Sequence, residues 1–506
     1  MSEIQVFNTL TGKKEPFVPA SGTTVTMYAC GPTVYDLSHL GHARMSIVWD
    51  VVQRYLRFFG FDVTFVRNIT DVDDKIIRRA GDLGVSPEMV AREFTYTYWH
   101  DMHRLNVQPP DYEPRATEFI SRMVSFIEEL IKAGHAYESQ GDVYFDVASF
   151  ADYGKLGKKN LEQLMTGARE QAHSQDELSQ RKRSPVDFAL WKRAEESASG
   201  LSWESPWGRG RPGWHLECST MIKHVLGKTI DIHTGGEDLV FPHHENEIAQ
   251  SEALHQAPLA RYWLHNSFVQ VSSEKMSKSL GNFSTIDDLL RLYSADTIRL
   301  FVLQTHYRNP IDFTLESLNA TKAAMSRLLR AVYADRDANG TQSAADGTAS
   351  SVAPGRNTMG TAAISPAVNR LKLKEIEGLD PLNDDVTREF RASFVEAMNN
   401  DFNTAQAVSH LFSLADHIFQ EKDREKSAAY ATVLSQHAAL LGFTLEDTRQ
   451  QIDSPTSSQV LDLVLELRKS ARAKKDYETS DLIRKHLQEL GINVMDTSGG
   501  ASWERA

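Results

Sequence analysis

Two histidines flank a glycine near the start of the chain, in the order His39-Leu40-Gly41-His42. Residues 25–30 before them predict a short strand, and residues 45–59 predict a helix that ends at Gly60. A helix N-terminus attracts phosphate, because its free amide groups and its dipole favour negative charge. Imidazole groups there could donate hydrogen bonds to a phosphoryl group in a transition state. The same residues could equally be one capping and one packed histidine. This motif alone therefore does not distinguish phosphate binding from a structural role.

Two lysines three residues apart form a second motif, Lys275-Met276-Ser277-Lys278-Ser279. The motif lies between a strand-like run at 268–271 and the turn at Gly281. Lysines on such a loop could close on a triphosphate and neutralise the charge of a departing pyrophosphate. The alternative is a solvated basic loop. This pattern is longer and more specific than the first, and the two motifs occur in the order expected of one nucleotide site.

Cysteine, histidine and glutamate residues form a third set. His243 and Glu247 follow Pro242 at the predicted start of a helix, where positions i and i+4 share one face. Together with Cys30 and Cys218, they would make four ordinary zinc ligands. His244 and Glu245 are expected about 100° or more round that helix, and the order of residues does not match the HExxH metalloprotease pattern. The alternatives are a polar helix start without metal and two cysteines buried as small hydrophobic residues.

The elements that must position these residues alternate strand and helix. The strand at 25–30, the helix at 45–59 and a strand at 63–66 predict a βαβ unit, and strand-like residues 229–233 precede a turn at Gly235-Gly236.

The predicted fold is α/β, a split Rossmann-like parallel sheet with an insertion, then a helical bundle and a small C-terminal domain. The predicted division is 1–114 and 216–320 for the two halves of the sheet domain, 115–215 for the insertion, 321–385 for a connector with a disordered stretch at 337–369, 386–450 for the bundle, and 451–506 for the C-terminal domain.

The composition excludes several classes of protein. The chain has 506 residues, a net charge of -13 and two cysteines. The acidic charge argues against a general nucleic-acid coat protein, although a local basic patch is still possible. No apolar run approaches the roughly 20 residues of a membrane span, and the first residues lack signal-peptide features. These observations predict a cytoplasmic protein that does not bind membranes, with reduced thiols.

The two lysine and histidine motifs on a split nucleotide-binding fold resemble those of class I aminoacyl-tRNA synthetases. Three further segments are similar to the cysteinyl branch of that family: residues 28–36, YACGPTVYD; residues 68–75, NITDVDDK; and residues 241–247, FPHHENE. The resemblance runs nearly end to end, apart from residues 337–369. Leu40 stands where isoleucine is commoner in the family, and this exchange conserves side-chain bulk.

The resemblance implies ATP-dependent activation of L-cysteine, with Mg²⁺, and transfer to tRNA(Cys) by a monomer. His39 and His42 would bind the phosphates in the transition state, and Lys278, assisted by Lys275, the pyrophosphate. The remaining ATP contacts would come from Thr33, Gly41, Gly235, Gly236 and Asp238, and the amino-acid contacts from Thr70, Trp214 and His233.

The resemblance also points to Cys30, Cys218, His243 and Glu247 as ligands of one zinc ion that selects the substrate. Serine differs from cysteine by one atom, and a shape-based pocket separates such near-isosteres by only about 100-fold. A thiolate binds zinc far better than an alcohol does. We therefore expect the zinc to act as a receptor for the substrate thiol.

The C-terminal region is expected to bind the tRNA. Its predicted helix is rich in basic residues, and Trp503 could stack on an unpaired base. A solvated helix face is the alternative for this basic cluster, which consists of Arg468, Lys469, Arg472, Lys474, Lys475, Arg484 and Lys485. Residues 398–404, MNNDFNT, also resemble a family feature of the tRNA-reading part.

Two other functions use the same motifs. A cysteine ligase that joins cysteine to an amino sugar would share the catalytic core but lack the C-terminal domain, which this chain has. A degenerate, synthetase-like RNA-binding protein would have lost the histidines or the lysines, and both motifs are intact here.

Overall fold

The computed structural model describes residues 3–160, 181–194, 201–271, 274–275, 284–333, 382, 384–446, 455–474, 476–489, 492–497 and 500–505. They form two compact units, Met1–Thr444 and Leu445–Ala506. Lys278, the stretch 337–369 and the boundaries that fall between described ranges are outside the described residues, so the six-part division of the chain stays a prediction. Among the described helices, none is long and apolar enough to cross a lipid bilayer.

The first unit begins with strands and helices of the predicted sheet domain and continues into the insertion. In chain order these are β1 (Gln5–Asn8), β2 (Lys13–Pro16), β3 (Thr24–Ala29), α1 (Leu40–Phe59), β4 (Asp62–Arg67), α2 (Asp74–Leu83), α3 (Pro87–Arg104), α4 (Ile120–Lys132), β5 (Ala136–Ser139), β6 (Asp142–Phe145), β7 (Phe188–Arg193) and β8 (Gly210–Pro212).

The same unit continues through the second half of the sheet domain into a helical bundle. Its further elements are α5 (Trp214–Val225), β9 (Ile230–Gly236), α6 (Glu245–His255), β10 (Ala260–Asn266), β11 (Val269–Val271), β12 (Glu274–Lys275), α7 (Ile286–Leu292), α8 (Ala295–Leu303), β13 (Ile311–Asp312), α9 (Leu315–Val332), α10 (Asp385–Asn399), α11 (Thr404–Gln420) and α12 (Arg424–Leu440).

The central sheet has four parallel strands in the order β10-β9-β3-β4. Tyr28 on β3 pairs with Val66 on β4 and with His233 on β9, so strands from both halves of the sequence lie side by side. This confirms the split parallel sheet. The strand order reverses between β3 and β9, and ligands of such sheets bind at the carboxyl ends of the strands beside that point.

The insertion is more regular than the sequence suggests. It has a four-stranded antiparallel sheet, β5-β6-β7-β8, and the helix α4. One apolar core joins this insertion to the central sheet and contains Met123, Trp191, Met221 and both cysteines. The insertion therefore holds α5, which carries Cys218, against the sheet that carries Cys30.

The helical bundle is interrupted where its sequence shows continuous helical periodicity. The chain breaks at residues 400–403 and again at 421–423, which gives three helices where one long pattern is seen over 386–441. Asp401 and Phe402 have positive φ angles of 62° and 50°, which L-residues rarely adopt. Tertiary contacts thus override the local preference for helix at this turn.

The second unit contains two helices and a hairpin. They are α13 (Pro455–Ala473), α14 (Tyr477–Glu489), β14 (Ile492–Thr497) and β15 (Gly500–Arg505), so two helices take the place of the one basic helix that the sequence predicts here. Arg468 is buried in this unit, whereas Lys469, Arg472, Arg484 and Lys485 are exposed. Arg468 therefore does not belong to the surface part of the predicted basic cluster.

Three charged side chains lie in the interior where α1 meets α8 and the bundle. Asp50 contacts Arg54 at 2.9 Å and Arg299 at 2.7 Å, and these side chains are at most 3% exposed. Arg299 also donates to the carbonyl oxygens of Leu105 and Leu441. Burial alone would raise the pKa of Asp50, but the two arginine charges outweigh it and hold this pKa below its usual value.

Removing Arg299 should destabilise the first unit strongly, because Asp50 would be left as a poorly compensated buried charge. We expect Arg299→Met to lower the free energy of unfolding by about 3–5 kcal/mol in urea denaturation. Arg291→Met is the matched control: its side chain is 71% exposed and pairs with Asp287. The control should cost less than about 1 kcal/mol. Equal effects of the two substitutions would contradict a structural role for the buried group.

Candidate functional site

Four potential metal ligands meet beside the carboxyl end of β3. Cys30 follows that strand, Cys218 lies on α5, and His243 and Glu247 lie before and within the first turn of α6; each is at most 4% exposed. The two Sγ atoms are 3.7 Å apart, Cys218 Sγ is 3.7 Å from His243 Nε2, and Cys30 Sγ is 3.4 Å from Glu247 Oε1.

These separations suit a tetrahedral metal ion. With zinc–sulfur distances of about 2.3 Å, and zinc–nitrogen or zinc–oxygen distances of about 2.0–2.1 Å, ligand atoms of a tetrahedron lie about 3.3–3.8 Å apart. The distance from His243 Nε2 to Glu247 Oε1, 2.9 Å, is somewhat shorter. The four ligand atoms lie within 4.8 Å of one another and could hold a metal ion.

The group would attract a cation once both of its thiols are ionised. Burial and the neighbouring Cys218 thiol raise the pKa of Cys30 well above its usual value. Burial would also raise the pKa of Cys218, but hydrogen bonds from Cys30 and His243 bring it down to about 6. With both thiols and the carboxyl group ionised, the site would hold three negative charges away from water, which is costly without a compensating ion.

Two further histidines contact the potential metal ligands Glu247 and His243. His233 Nε2 contacts the other carboxyl oxygen of Glu247 at 2.8 Å, and His215 Nδ1 lies 2.8 Å from His243 Nδ1. Burial, followed by the nearby His243, lowers the pKa of His215 well below its usual value, so that it is neutral and can accept the Nδ1 proton of His243. Such contacts orient ligands and commonly tune metal affinity.

His244 is closer to the thiols than the sequence suggests. Residues Val240–His244 form a wide helical turn in which Phe241 is extended, and the regular helix begins only at Glu245. The expectation that His244 points away from the site is therefore wrong: its Nε2 atom lies 3.3 Å from Cys30 Sγ. This creates a second possible metal group, Cys30, His233, His244 and Glu247.

Glu245 has a different partner. Its carboxylate accepts hydrogen bonds from the backbone amides of Gly154, Leu156 and Gly157. The insertion is thereby fixed to the start of α6, and Glu245 is not a metal ligand in either group.

Close backbone packing positions the strand ends. A side chain at Gly31 would place its Cβ atom 1.6 Å from the carbonyl oxygen of Asn68, and one at Gly235 would lie 2.8 Å from the His244 ring. Glycine is therefore required beside Cys30 and at the end of β9. Gly236 is similarly close to its neighbour, because a Cβ atom there would lie 2.6 Å from Asp238 Oδ1.

The two histidines of the first motif cap α1 reciprocally. His39 Nδ1 accepts from the Gly41 amide at 3.1 Å, and His42 Nδ1 accepts from the His39 amide at 3.2 Å. Both imidazoles thus act as caps, where the sequence left open one capping and one packed histidine. Because each Nδ1 accepts, the neutral rings carry their proton on Nε2, and an Nε2–H group is the donor that a phosphate oxygen needs.

The second motif is described only at its edges. Lys275 lies on β12, whose backbone pairs with β11, and Lys278 lies outside the described residues. The chain is described again from residue 284, and Thr285 forms a backbone bridge with His39. The segment that follows the lysine motif therefore lies beside the helix that begins with the histidine motif.

The remaining predicted residues lie around the same strand ends. Thr33 pairs with Thr70, whose hydroxyl group donates to Glu217 at 2.8 Å. Trp214 is 39% exposed, and its ring lies 4.1 Å from that of His243. His233 is fully buried and contacts Glu247 at 2.8 Å, and its contact with the amino acid stays a prediction.

Sequence reasoning missed several residues of the site. His215 adjoins Trp214, and His265 ends a strand and contacts His244 Nδ1 at 2.8 Å. A histidine at the carboxyl end of a parallel strand was a usable signal. Arg44 anchors α1 by contacts with carbonyl groups that are distant in the sequence. No local sequence pattern could have identified it.

Comparisons with known proteins agree with this geometry. Residues 16–323 match the family of tRNA synthetases class I (C) catalytic domain, residues 393–446 match the DALR domain, and residues 456–503 match the cysteinyl-tRNA ligase anticodon binding domain. The cysteine–tRNA ligase of Syntrophobacter fumaroxidans is 43% identical, with 99% of each chain covered. The chain belongs to the cysteine–tRNA ligase family.

Further relatives support this membership. The cysteine–tRNA ligase of Bacillus pumilus is 42% identical, again with 99% of each chain covered. Among solved structures, the methionyl-tRNA synthetase of Mycobacterium tuberculosis in complex with methionyl-adenylate has a TM-score of 0.52 at 15% identity, over 88% of this chain and 94% of that one. The LeuRS–tRNA–LeuAMS complex of Agrobacterium radiobacter has a TM-score of 0.53 at 11% identity, with 84% of each chain covered. These structures support the class I fold.

The two possible metal groups can be separated by one pair of substitutions. We expect Cys218→Ser to weaken zinc binding by more than about 100-fold, since it removes a thiolate ligand, whereas loss of an outer contact costs roughly 10–100-fold. His244→Gln removes only a contact with Cys30 in the proposed group, so its loss should stay within that range of roughly 10–100-fold. Metal content and competition with a chromogenic chelator measure both. The reverse order would identify the group that contains His233 and His244.

Proposed function

We propose that this family member selects its amino acid through a zinc ion held by Cys30, Cys218, His243 and Glu247. Membership of the cysteine–tRNA ligase family makes the chain an enzyme that activates cysteine with ATP and transfers it to tRNA. The observation that carries the proposal is the burial of two thiols, an imidazole and a carboxyl group within 4.8 Å of one another.

The first reaction step joins cysteine to AMP. The substrate carboxylate attacks the α-phosphorus of ATP, the bond to the β-phosphate oxygen breaks, and pyrophosphate leaves with Mg²⁺. ATP already supplies the activated phosphoryl group, so the chain has to position the reactants and stabilise charge. In the second step, a ribose hydroxyl group at the 3′ end of tRNA(Cys) attacks the acyl carbonyl and releases AMP.

The phosphates would be bound at the start of α1. His39 and His42 present a helix N-terminus and imidazole N–H donors, which suit the charge that develops on the phosphoryl oxygens. Lys278, assisted by Lys275, would neutralise the departing pyrophosphate. The backbone pairing of Thr285 with His39 supports this assignment, because it holds one end of the lysine segment beside the histidines.

The adenosine would lie at the end of β9. Gly236 is partly exposed there, Gly235 is packed against His244, and Asp238 is exposed just beyond them. A carboxylate in this position suits the ribose hydroxyl groups. Thr33 and Gly41 would complete the nucleotide contacts on the other side of the switch point between β3 and β9.

The amino acid would lie between the nucleotide and the metal group. Zinc at this position would supply a soft acceptor for the substrate thiolate, a property that serine cannot exploit. The partly exposed Trp214 ring provides an apolar wall beside His243. We place Thr70 near the amino acid and assign His233 to the support of Glu247.

The tRNA would be read by the second unit. Lys469, Arg472, Arg484 and Lys485 are exposed on its two helices and could follow a phosphate backbone. The match of residues 456–503 to the anticodon binding domain favours tRNA as the acceptor over an amino sugar. It also argues against the alternative of a ligase that consists of the catalytic core alone.

Cobalt substitution tests the role of the metal. Cysteine added to the cobalt-substituted enzyme should increase the thiolate-to-metal charge-transfer absorption, because a further sulfur ligand would join the ion. Serine at the same concentration should leave the spectrum unchanged. If cysteine changes nothing while it still supports ATP–pyrophosphate exchange, the metal does not bind the substrate thiol.

The lysine assignment predicts a loss of the first reaction step. We expect Lys278→Ala to slow cysteine-dependent pyrophosphate–ATP exchange by about 100-fold, the usual cost of removing one group that stabilises transition-state charge. Zinc content and the affinity for cysteine should be retained. Exchange at the wild-type rate would show that this lysine does not act on the pyrophosphate.

A further inference from the structure

The turn between α10 and α11 is bound tightly to the sheet domain. Asp401 is 1% exposed, and its carboxylate accepts from the Phe7 amide, the Tyr307 hydroxyl group and Arg308 Nε, each at 2.8 Å. Asp401 adopts a left-handed conformation with φ of 62°. A non-glycine residue keeps such a conformation only where its surroundings fix it. The turn is thus a specific contact of the bundle with residues 306–308.

Residues 307–309 in turn hold an arginine of α1. Arg44 is 1% exposed and donates to the carbonyl oxygens of Tyr307, Asn309 and Phe268. The Ser267 amide donates to Tyr307 at 2.9 Å, which ties the same segment to the end of β10. Two of its three carbonyl partners belong to residues 307–309. The position of this buried guanidinium group therefore depends on the backbone conformation of residues 307–309.

Arg44 connects the histidine motif with the strand before the lysine motif. It follows His42 by two residues, near the start of α1. Its partner Phe268 immediately precedes β11, and β11 pairs with the strand that carries Lys275. A shift of residues 307–309 would therefore change the distance between the histidine motif and the strand that leads into the lysine motif.

We propose that Asp401 is a positioning residue for ATP, which acts through residues 307–309 and Arg44 on the spacing between the histidine motif and the strand that carries Lys275. The bundle thereby has an influence on the activation step, although it lies outside the nucleotide site. This inference rests on the proposed roles of His39, His42 and Lys278. It assigns to the MNNDFNT segment a contact with the sheet domain, where the sequence resemblance suggests a part in tRNA reading.

A residue that only stabilises the fold would give a different pattern of kinetic effects. Loss of stability lowers the amount of active enzyme and affects all substrates alike. Loss of positioning should raise KM for ATP while KM for cysteine stays the same, because cysteine is bound on the metal side of the site. Spatial contiguity alone does not establish such coupling, so measured coupling between the residues is required.

The first test compares Asp401→Asn with two other variants in pyrophosphate–ATP exchange. We expect Asp401→Asn to raise KM for ATP and the Kd of ATP in calorimetry about 3- to 10-fold, with KM for cysteine changed by less than about twofold. Tyr307→Phe, which removes one donor to Asp401 and keeps the ring, should show the same change to a smaller degree. It provides a second test if Asp401→Asn folds poorly.

Asp384→Asn is the matched control. Asp384 caps α10 at its other end and accepts from Thr387 and Tyr430, which both belong to the bundle. This substitution should lower the unfolding temperature and leave KM for ATP at the wild-type value. An equal rise in KM for ATP in Asp384→Asn would overturn the inference, since general destabilisation would then explain the effect.

A double-mutant cycle that combines Asp401→Asn with Arg44→Lys tests whether Asp401 acts through Arg44. If Asp401 acts through Arg44, the two substitutions disturb the same contact. The Kd of ATP in the double variant should then rise by clearly less than the product of the two single increases. Independent, multiplicative effects would contradict an action through Arg44. If Lys278→Ala abolishes exchange while Asp401→Asn leaves ATP binding unchanged, this inference fails and the proposed function stands. If cysteine leaves the spectrum of the cobalt-substituted enzyme unchanged, the proposed zinc selection fails, and if Lys278→Ala is fully active, the assignment of that lysine fails. In both cases ATP calorimetry still decides the role of Asp401.

Discussion

The burial of two thiols, an imidazole and a carboxyl group at one point is the constraint on which the architecture of the first unit depends. Two thiols and a carboxyl group cannot all be ionised in a site without water unless a cation compensates them. The chain meets this requirement with ligands from three elements, and it closes the site with the insertion. The apolar core that contains both cysteines is therefore also the junction between the insertion and the sheet. The packing of this core and the proposed metal site are thus parts of one arrangement.

The sequence predicted the parallel sheet because its signals are local. An apolar strand, a helix that ends at glycine and a second strand lie within about 40 residues, and parallel pairing follows from that spacing. The grouping of Cys30 with Cys218 needed the family resemblance, because no local pattern links residues so far apart. The contact between them is a property of the folded core.

The errors of the sequence analysis have physical causes. His244 was placed by ideal helix geometry, but the turn before α6 is wider than a regular helix and brings both adjacent histidines to the thiols. The helical bundle was predicted, but the break between its first two helices was not, because Phe402 fits the apolar pattern. This break depends on Asp401, whose partners lie more than 90 residues away in the sequence. Such partners leave no trace in a local pattern.

The distance in sequence between the two thiols has a consequence for biosynthesis. Cys30 and Cys218 are 188 residues apart, and the segment between them contains the whole insertion. At 5–20 residues per second, a ribosome delivers the second thiol roughly 10–40 s after the first. During this interval, Cys30 lacks the α5 side of its core. The proposed zinc ion, which requires both thiols, would therefore bind only after the insertion has been synthesised. Its binding would then report that Cys30 and Cys218 have come together.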